Sequence, residues 1–146
     1  PMSYRDLPAT PLFAFGEGMG YGRLVYSDIA LRRFPLRPGQ AAGGDAPLCE
    51  VRMRVRNAGT LAEYAVPMLF VSILQADVTC RVAELKDFCK ASIPPGGECE
   101  LCLVLRTRDL TVWNRRMQPQ LAASCVRLCL RDGFQTLWEE TTGFAD

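Results

Sequence analysis

The chain contains no histidine, so the side chain that most often serves as general base, metal ligand or triad member is missing. Chemistry would have to come from thiols, carboxylates or backbone amides. The seven cysteines, Cys49, Cys80, Cys89, Cys99, Cys102, Cys125 and Cys129, are odd in number and sit mostly inside strand-like runs. Cys99-x-x-Cys102 and Cys125-x-x-x-Cys129 offer four thiolates, the donor set of a structural zinc site. A zinc knuckle needs a tight, usually glycine-bearing turn, and Cys99-Glu100-Leu101-Cys102-Leu103 has no turn residue. In an extended strand, side chains three apart point to opposite faces, so Cys99 and Cys102 would not share a metal. The thiols therefore read as reduced and strand-packed, as in a cytoplasmic protein.

Paired carboxylates of the kind a glycosidase uses could come from Glu98/Glu100, Glu139/Glu140 or Asp28/Asp45. Glu98 and Glu100 would share the solvent face of one strand, and the adjacent Glu139 and Glu140 would face apart. Nothing in the pattern indicates a concave pocket around them, so they read as surface charges. Serines are few and none lies in a nucleophile elbow. Trp113 and Trp138 could form a platform on which a sugar ring stacks, but such large apolar groups more often plug a sandwich core or a domain seam, and that reading is favoured.

Gly16, Gly18, Gly20 and Gly22 raise the question of a phosphate-cradling loop. Such a loop needs a strand before it, a third glycine where Tyr21 stands, and a helix N-terminus after it to supply free amides. The run beyond Tyr21 alternates and is β-branched, so no helix is available. Phe13 and Phe15 lead into these glycines and Tyr21 stands among them, an arrangement in which a sharply bent backbone presses its aromatics into neighbouring surfaces.

At 146 residues the chain fits one domain that buries roughly two thirds of its unfolded surface. The net charge is +1 and the basic residues, mostly arginines, are spread along the strands, so the footprint of a binder of nucleic acid or anionic membrane is missing. The longest apolar stretch, Ala65 to Leu74, contains Pro67 and Ser72 and falls short of the ~20 residues of a membrane span. Pro1 to Asp6 offers no apolar core for a signal peptide, and the opening Pro-Met suggests an excised piece of a longer chain.

The elements that must position these residues are strands. From Leu48 to Asn57, Val51, Met53 and Val55 fall on one face and Glu50, Arg52, Arg54 and Arg56 on the other, the pattern of a half-buried antiparallel strand. Asn57-Ala58-Gly59-Thr60 supplies a turn, in which Asn and Gly tolerate positive φ. Tyr64 to Leu74 reads as a strand that Pro67 pushes toward an edge position or a bulge. Ile93 to Glu98 is a turn, after which Leu101, Leu103 and Leu105 alternate with Glu100, Cys102 and Val104. Val126, Leu128 and Leu130 alternate with Cys125, Arg127, Cys129 and Arg131, and Asp132-Gly133 turns that strand into Phe134 to Trp138, a C-terminal hairpin. Between Ala76 and Phe88 the pattern is weakest, and a short helix at Val82 to Phe88 is left open. Arg37 to Pro47 reads as a mobile loop.

The glycine block resembles the segment of family 3 glycoside hydrolases in which an aromatic-Pro-Phe-Gly-x-Gly-Leu-Ser-Tyr motif enters a C-terminal fibronectin type III-like domain. Phe13, Phe15, Gly16, Gly18 and Tyr21 match it, while Ala14, Met19 and Gly20 replace the proline, leucine and serine. Met2-Ser3-Tyr4-Arg5 is similar to the end of the preceding α/β domain, Tyr26 to Ile29 to the first fibronectin-type strand, and Val51 to Gly59 to a Val-x-Val-x-Asn-x-Gly strand and turn. Glu84 to Phe88 with Pro95-Gly96, and Asp109 to Trp113, are similar to two further signatures in the right order. Asp87 stands where the family has a glycine, Gly97 intrudes before Glu98, and Gln118-Pro119-Gln120 lacks the usual Pro-Gly.

The resemblance implies an all-β, immunoglobulin-like (fibronectin type III-like) antiparallel β-sandwich of about seven or eight strands. It divides the chain into an interdomain junction at 1–22 and the sandwich at 23–146. It also implies that the catalytic aspartate and glutamate lie upstream, leaving this chain a non-catalytic accessory domain of a β-glucosidase- or β-xylosidase-like enzyme. The partners expected are the catalytic domains of the same polypeptide, with homo-oligomerisation open and with neither nucleic acid nor membrane involved. No cofactor or metal is expected. Two other classes stay open: an autonomous carbohydrate-binding module, marked by an exposed coplanar aromatic pair, and an adhesion or dimerisation module, marked by a flat apolar patch without aromatics.

Overall fold

The computed structural model describes residues 11–13, 15–36 and 42–144. Met2 to Arg5, Ala14 and positions 37–41 of the expected loop lie outside the described residues. Among the described residues eleven strands succeed one another: β1 (Leu24–Arg33), β2 (Pro47–Asn57), β3 (Glu63–Ala65), β4 (Pro67–Ile73), β5 (Glu84–Phe88), β6 (Ala91–Ile93), β7 (Glu98–Arg106), β8 (Thr111–Trp113), β9 (Pro119–Leu121), β10 (Val126–Asp132) and β11 (Gln135–Thr142). A 3₁₀ turn at Thr107–Leu110 separates β7 from β8. Seven strands form two antiparallel sheets, β1-β2-β7 and β11-β10-β4-β5, and the other four pair as the short ribbons β3-β6 and β8-β9.

Alternation along the strands builds the core. Val51, Met53 and Val55 of β2 and Leu103 and Leu105 of β7 are buried from one sheet; Leu69 and Val71 of β4 and Val126, Leu128 and Leu130 of β10 are buried from the other. Each fully buried Leu or Val contributes about 1.5 to 3 kcal/mol relative to exposure, so these positions carry the fold. The expected outward face of β2 holds for Arg52, Arg54 and Arg56, but Glu50 is buried, accepting from Arg52 Nε at 2.8 Å.

The two sheets are joined at their margins by polar bonds. Tyr26 of β1 donates its hydroxyl to Asp132 at the end of β10, Arg33 of β1 pairs with Glu140 of β11 at 3.0 Å, and the Val104 amide of β7 donates to Asp87 of β5 at 2.7 Å.

Four sequence expectations change. Pro67 is not at a sheet edge: it opens β4, which lies between β10 and β5, at the point where the chain leaves β3 for the other sheet. A proline is tolerated as the first strand residue, where it stands opposite Asp132 of β10. Residues Val82 to Phe88 form no helix. Glu84–Phe88 is extended as β5, since pairing with β4 overrides the helix propensity of Glu-Leu-Lys. At the Asn57 turn neither Asn57 nor Gly59 takes positive φ. Asn57 instead uses its buried side chain, accepting from Gly59 N at 2.9 Å and donating to Leu61 O at 2.7 Å and Ile93 O at 3.0 Å. Finally, the described part of the Arg37 to Pro47 loop is anchored, because Gly43 donates its amide to Thr111 Oγ1 at 2.6 Å, Thr107 donates to Gly44 O at 2.6 Å, and Asp45 pairs with Arg106 and Arg108.

Candidate interdomain contact surface

The glycine block crosses one end of the sandwich without entering its core. Phe13, Phe15 and Tyr21 are 74%, 70% and 85% exposed. Phe15 meets Phe70 of β4 edge to face, with ring centroids 6.1 Å apart. Gly16 has φ +80° and packs on Met68 and on Gly133 of the β10–β11 turn; a Cβ there would collide with the Met68 side chain. The left-handed backbone requires glycine at that position, while the Met68 methyl could move aside. Around Gly18 there is open space, so no contact among the described residues demands a glycine there. The sequence reading missed Glu63, whose carboxylate accepts the Gly22 amide at 2.7 Å.

The outer faces of the two sheets differ in character. On β4, β5 and β10, Met68, Phe70 and Cys129 alternate outward against the inward Leu69, Val71 and Leu128, and Leu85 and Phe88 flank them in register from β5. The Arg131 guanidinium lies 5.3 Å from the centroid of the Phe70 ring. A shallow depression of about 410 Å³ lies between Phe15, Phe70 and Leu85 on one side and Arg81, Glu84 and Lys86 on the other, where Glu84 pairs with Arg81 at 2.9 Å and Lys86 at 2.7 Å. On β1, β2 and β7 the outer face carries a row of ion pairs, Arg54 with Asp28 at 3.3 Å and with Glu98 at 3.2 Å and Arg52 with Glu100 at 3.6 Å, beside the uncharged Cys102 and Val104 of β7. Exposed pairs of this kind contribute little stability and keep a face wetted.

A sequence model described as a fibronectin type III-like domain matches residues 65–126. Among curated relatives, probable beta-glucosidase D of Aspergillus niger is 30% identical over 136 residues, which is 84% of this chain and 18% of that protein. Thermostable beta-glucosidase B of Acetivibrio thermocellus is 29% identical over 108 residues, 74% of this chain and 13% of its own length. The chain belongs to the fibronectin type III-like domains of glycoside hydrolase family 3. Among solved structures, the beta-glucosidase from Listeria innocua in complex with isofagomine superposes with a TM-score of 0.79 at 20% identity, over 97% of this chain and 19% of that one. Beta-D-glucoside glucohydrolase from Trichoderma reesei gives 0.76 at 18% identity, over 92% and 20%. The chain thus spans less than a fifth of the curated relatives named here.

Within this fibronectin type III-like domain the other candidate groups are dispersed. Glu98 and Glu100 are on the charged face of β1, β2 and β7; Glu139 pairs with Arg127 at 3.3 Å while its neighbour Glu140 turns to Arg33; Asp28 and Asp45 lie on separate ion pairs. Cys99 packs against the core while Cys102 is exposed, the opposed orientation expected of an extended strand. Among the described residues no cluster of three or more Cys, Asp or Glu could hold a metal. Trp138 packs on the core from β11 and Trp113 is 60% exposed on the β8–β9 ribbon, so the two do not form a common platform. A polar depression of about 450 Å³ at that end is lined by Asp77, Asn114, Gln120 and Ser124, with Val112 and not Trp113 turned into it.

Burial sets the two clearest titration shifts. Tyr26 is pushed up, first by desolvation and then by its bond to Asp132, and Cys49 is pushed up to about 12, chiefly by desolvation. Both groups stay neutral across ordinary pH. Neither is poised as a nucleophile or base.

Proposed function

We propose that this chain is the non-catalytic C-terminal accessory domain of a family 3 β-glycosidase, seated against the catalytic domains of the same polypeptide. The observation that carries this reading is the continuity between the exposed Phe15 and Phe70 on the outer face of β4, flanked by Leu85 and Phe88 of β5, set against a face of the other sheet where ion pairs surround Cys102 and Val104. Exposed large apolar groups gathered on one side of a domain mark a contact surface. In this reading residues 1–22 are the junction out of the preceding domain and 23–146 are the sandwich. The catalytic carboxylates belong to the upstream domains, and the reduced thiols fit a cytoplasmic enzyme.

The test has two arms. The reading frame upstream of Pro1 is expected to encode a barrel-type hydrolase domain, and a frame without one removes the proposal. The 146-residue chain alone is expected to hydrolyse no aryl glucoside or xyloside. Turnover that disappears on replacing one of its own carboxylates would make it an enzyme instead.

A further inference from the structure

The glycine-rich block looks in sequence like a loop that could wrap an anion, and lacks the helix that would make it a phosphate site. In the fold it does wrap an anion, and the anion is a side chain of the same domain. Glu63 Oε2 accepts the Gly22 amide at 2.7 Å, and Oε1 accepts the Tyr64 amide at 3.0 Å. A Cβ built on Gly20 would collide with this carboxylate, and one built on Gly22 would collide with the Glu63 side chain at Cβ. Close approach to the Glu63 Cβ thus requires glycine at Gly22, whereas a Cβ on Gly20 would push aside the movable carboxylate end; neither position has positive φ.

Glu63 opens β3, whose pairing with β6 holds the strand in place. Its backbone is therefore fixed by the sandwich, while its side chain reaches the segment that precedes β1. Amide bonds to an ionised carboxylate are about twice as strong as neutral ones, so a single side chain can hold an otherwise exposed segment. The carboxyl group is held below the usual glutamate range, first by the Gly22 amide and then by that of Tyr64.

We propose that Glu63 is the positioning residue of the junction, fixing the path along which residues 15–22 approach β1 and so presenting Phe15 beside Phe70 on the β4–β5 face. The hold on Gly22 stands on this domain alone. Its consequence for domain contact rests on the proposed docking against the catalytic domains.

The experiment is amide hydrogen exchange in the 146-residue chain, comparing the parent with Glu63→Ala and Glu63→Gln. Glu63→Ala is expected to speed exchange at Gly22 at least about tenfold while the amides of β2 keep their protection; Glu63→Gln, which keeps one acceptor oxygen, is expected to fall between. Gly20→Ala, whose Cβ would meet the Glu63 carboxylate, should speed exchange at Gly22 in the parent and add nothing in the Glu63→Ala background, which lacks that carboxylate. Parental exchange at Gly22 in both Glu63 variants overturns the proposal, and so does an undiminished effect of Gly20→Ala in the truncated background. In a polypeptide extended upstream through its hydrolase domains, Glu63→Ala is expected to raise protease cleavage within residues 11–22. Fast Gly22 exchange in the chain with unchanged cleavage there would overturn the docking reading and leave the hold on Gly22 standing.

Discussion

Asn57 shows how much one polar side chain can organise. It is 0% exposed, and its amide closes the β2 turn, meets Leu61 and reaches Ile93 at the end of β6. Removing it leaves buried carbonyls without a donor, and each such group costs about 1 to 3 kcal/mol. Asn57→Ala should therefore lower the stability of the chain by about 2 to 4 kcal/mol, read as a fall in the urea midpoint at constant slope. The thiols give a second prediction at this scale. Cys102 is exposed and Cys49 is wholly buried, so brief alkylation of the native chain should label Cys102 first and Cys49 only after unfolding, as read by peptide mass spectrometry. Because the folded pKa of Cys49 is raised from 9.0 to about 12, the folded state favours the neutral thiol. That contribution is fully present below 9.0 and is lost as pH rises through about 12. Urea midpoints should drop between about pH 8 and about pH 11, and drop less in Cys49→Ala.

At the scale of elements, β5 explains a departure from the family pattern. Asp87 stands where the family resemblance predicts glycine, and its carboxylate accepts the free amide of Val104 on β7 at 2.7 Å. An edge strand of one sheet is thereby tied to the edge strand of the other, so part of a row of unpaired amides is covered. Asp87→Ala should cost about 1.5 to 3 kcal/mol, the range of bonds to charged groups, and should expose the Val104 amide to exchange. Asp87→Asn, which keeps the acceptor, should lose less. Equal losses in the two variants would mean that packing and not the bond holds β5 in place.

For the molecule as a whole, the decisive contrast is between two outer faces. One is dominated by arginine–carboxylate pairs, the other carries an aromatic patch, Phe70 extended by Phe15, with its ion pairs set around it. In the 146-residue chain Phe15 is already 70% exposed, so Phe15→Ala should cost no more than about 1 kcal/mol, the scale of one aromatic pair. In the polypeptide that includes the catalytic domains, closing that face over the ring would raise the cost to about 3 to 5 kcal/mol. Thermal inactivation of the enzyme should then occur at lower temperature, with the cold KM unchanged. Equal destabilisation in both contexts would place Phe15 in the sandwich's own stability, and a selective rise in KM would place it at the substrate.

The sequence by itself determined whatever is written in local alternation and turn chemistry. The inward faces of β2, β7 and β10, the Asp132-Gly133 hairpin and the opposed orientation of Cys99 and Cys102 come from a two-residue period, which needs no knowledge of the partner strand. The glycine block was legible as a motif, whereas the packing of Gly16 on Met68 and of Gly22 on Glu63 was not. Pairing between distant segments was not legible. Glu-Leu-Lys became β5 because β4 offered an open ladder, Pro67 became the first residue of an inner strand because the chain changes sheets there, and Asn57 met Ile93 across 36 positions. Glu63 carries no local signal at all, for its role exists only once β3 is pinned and the glycines arrive from 41 positions away. Local steric preference is encoded residue by residue, whereas the choice of partner is a collective result of closing one core, and only the folded chain reveals it.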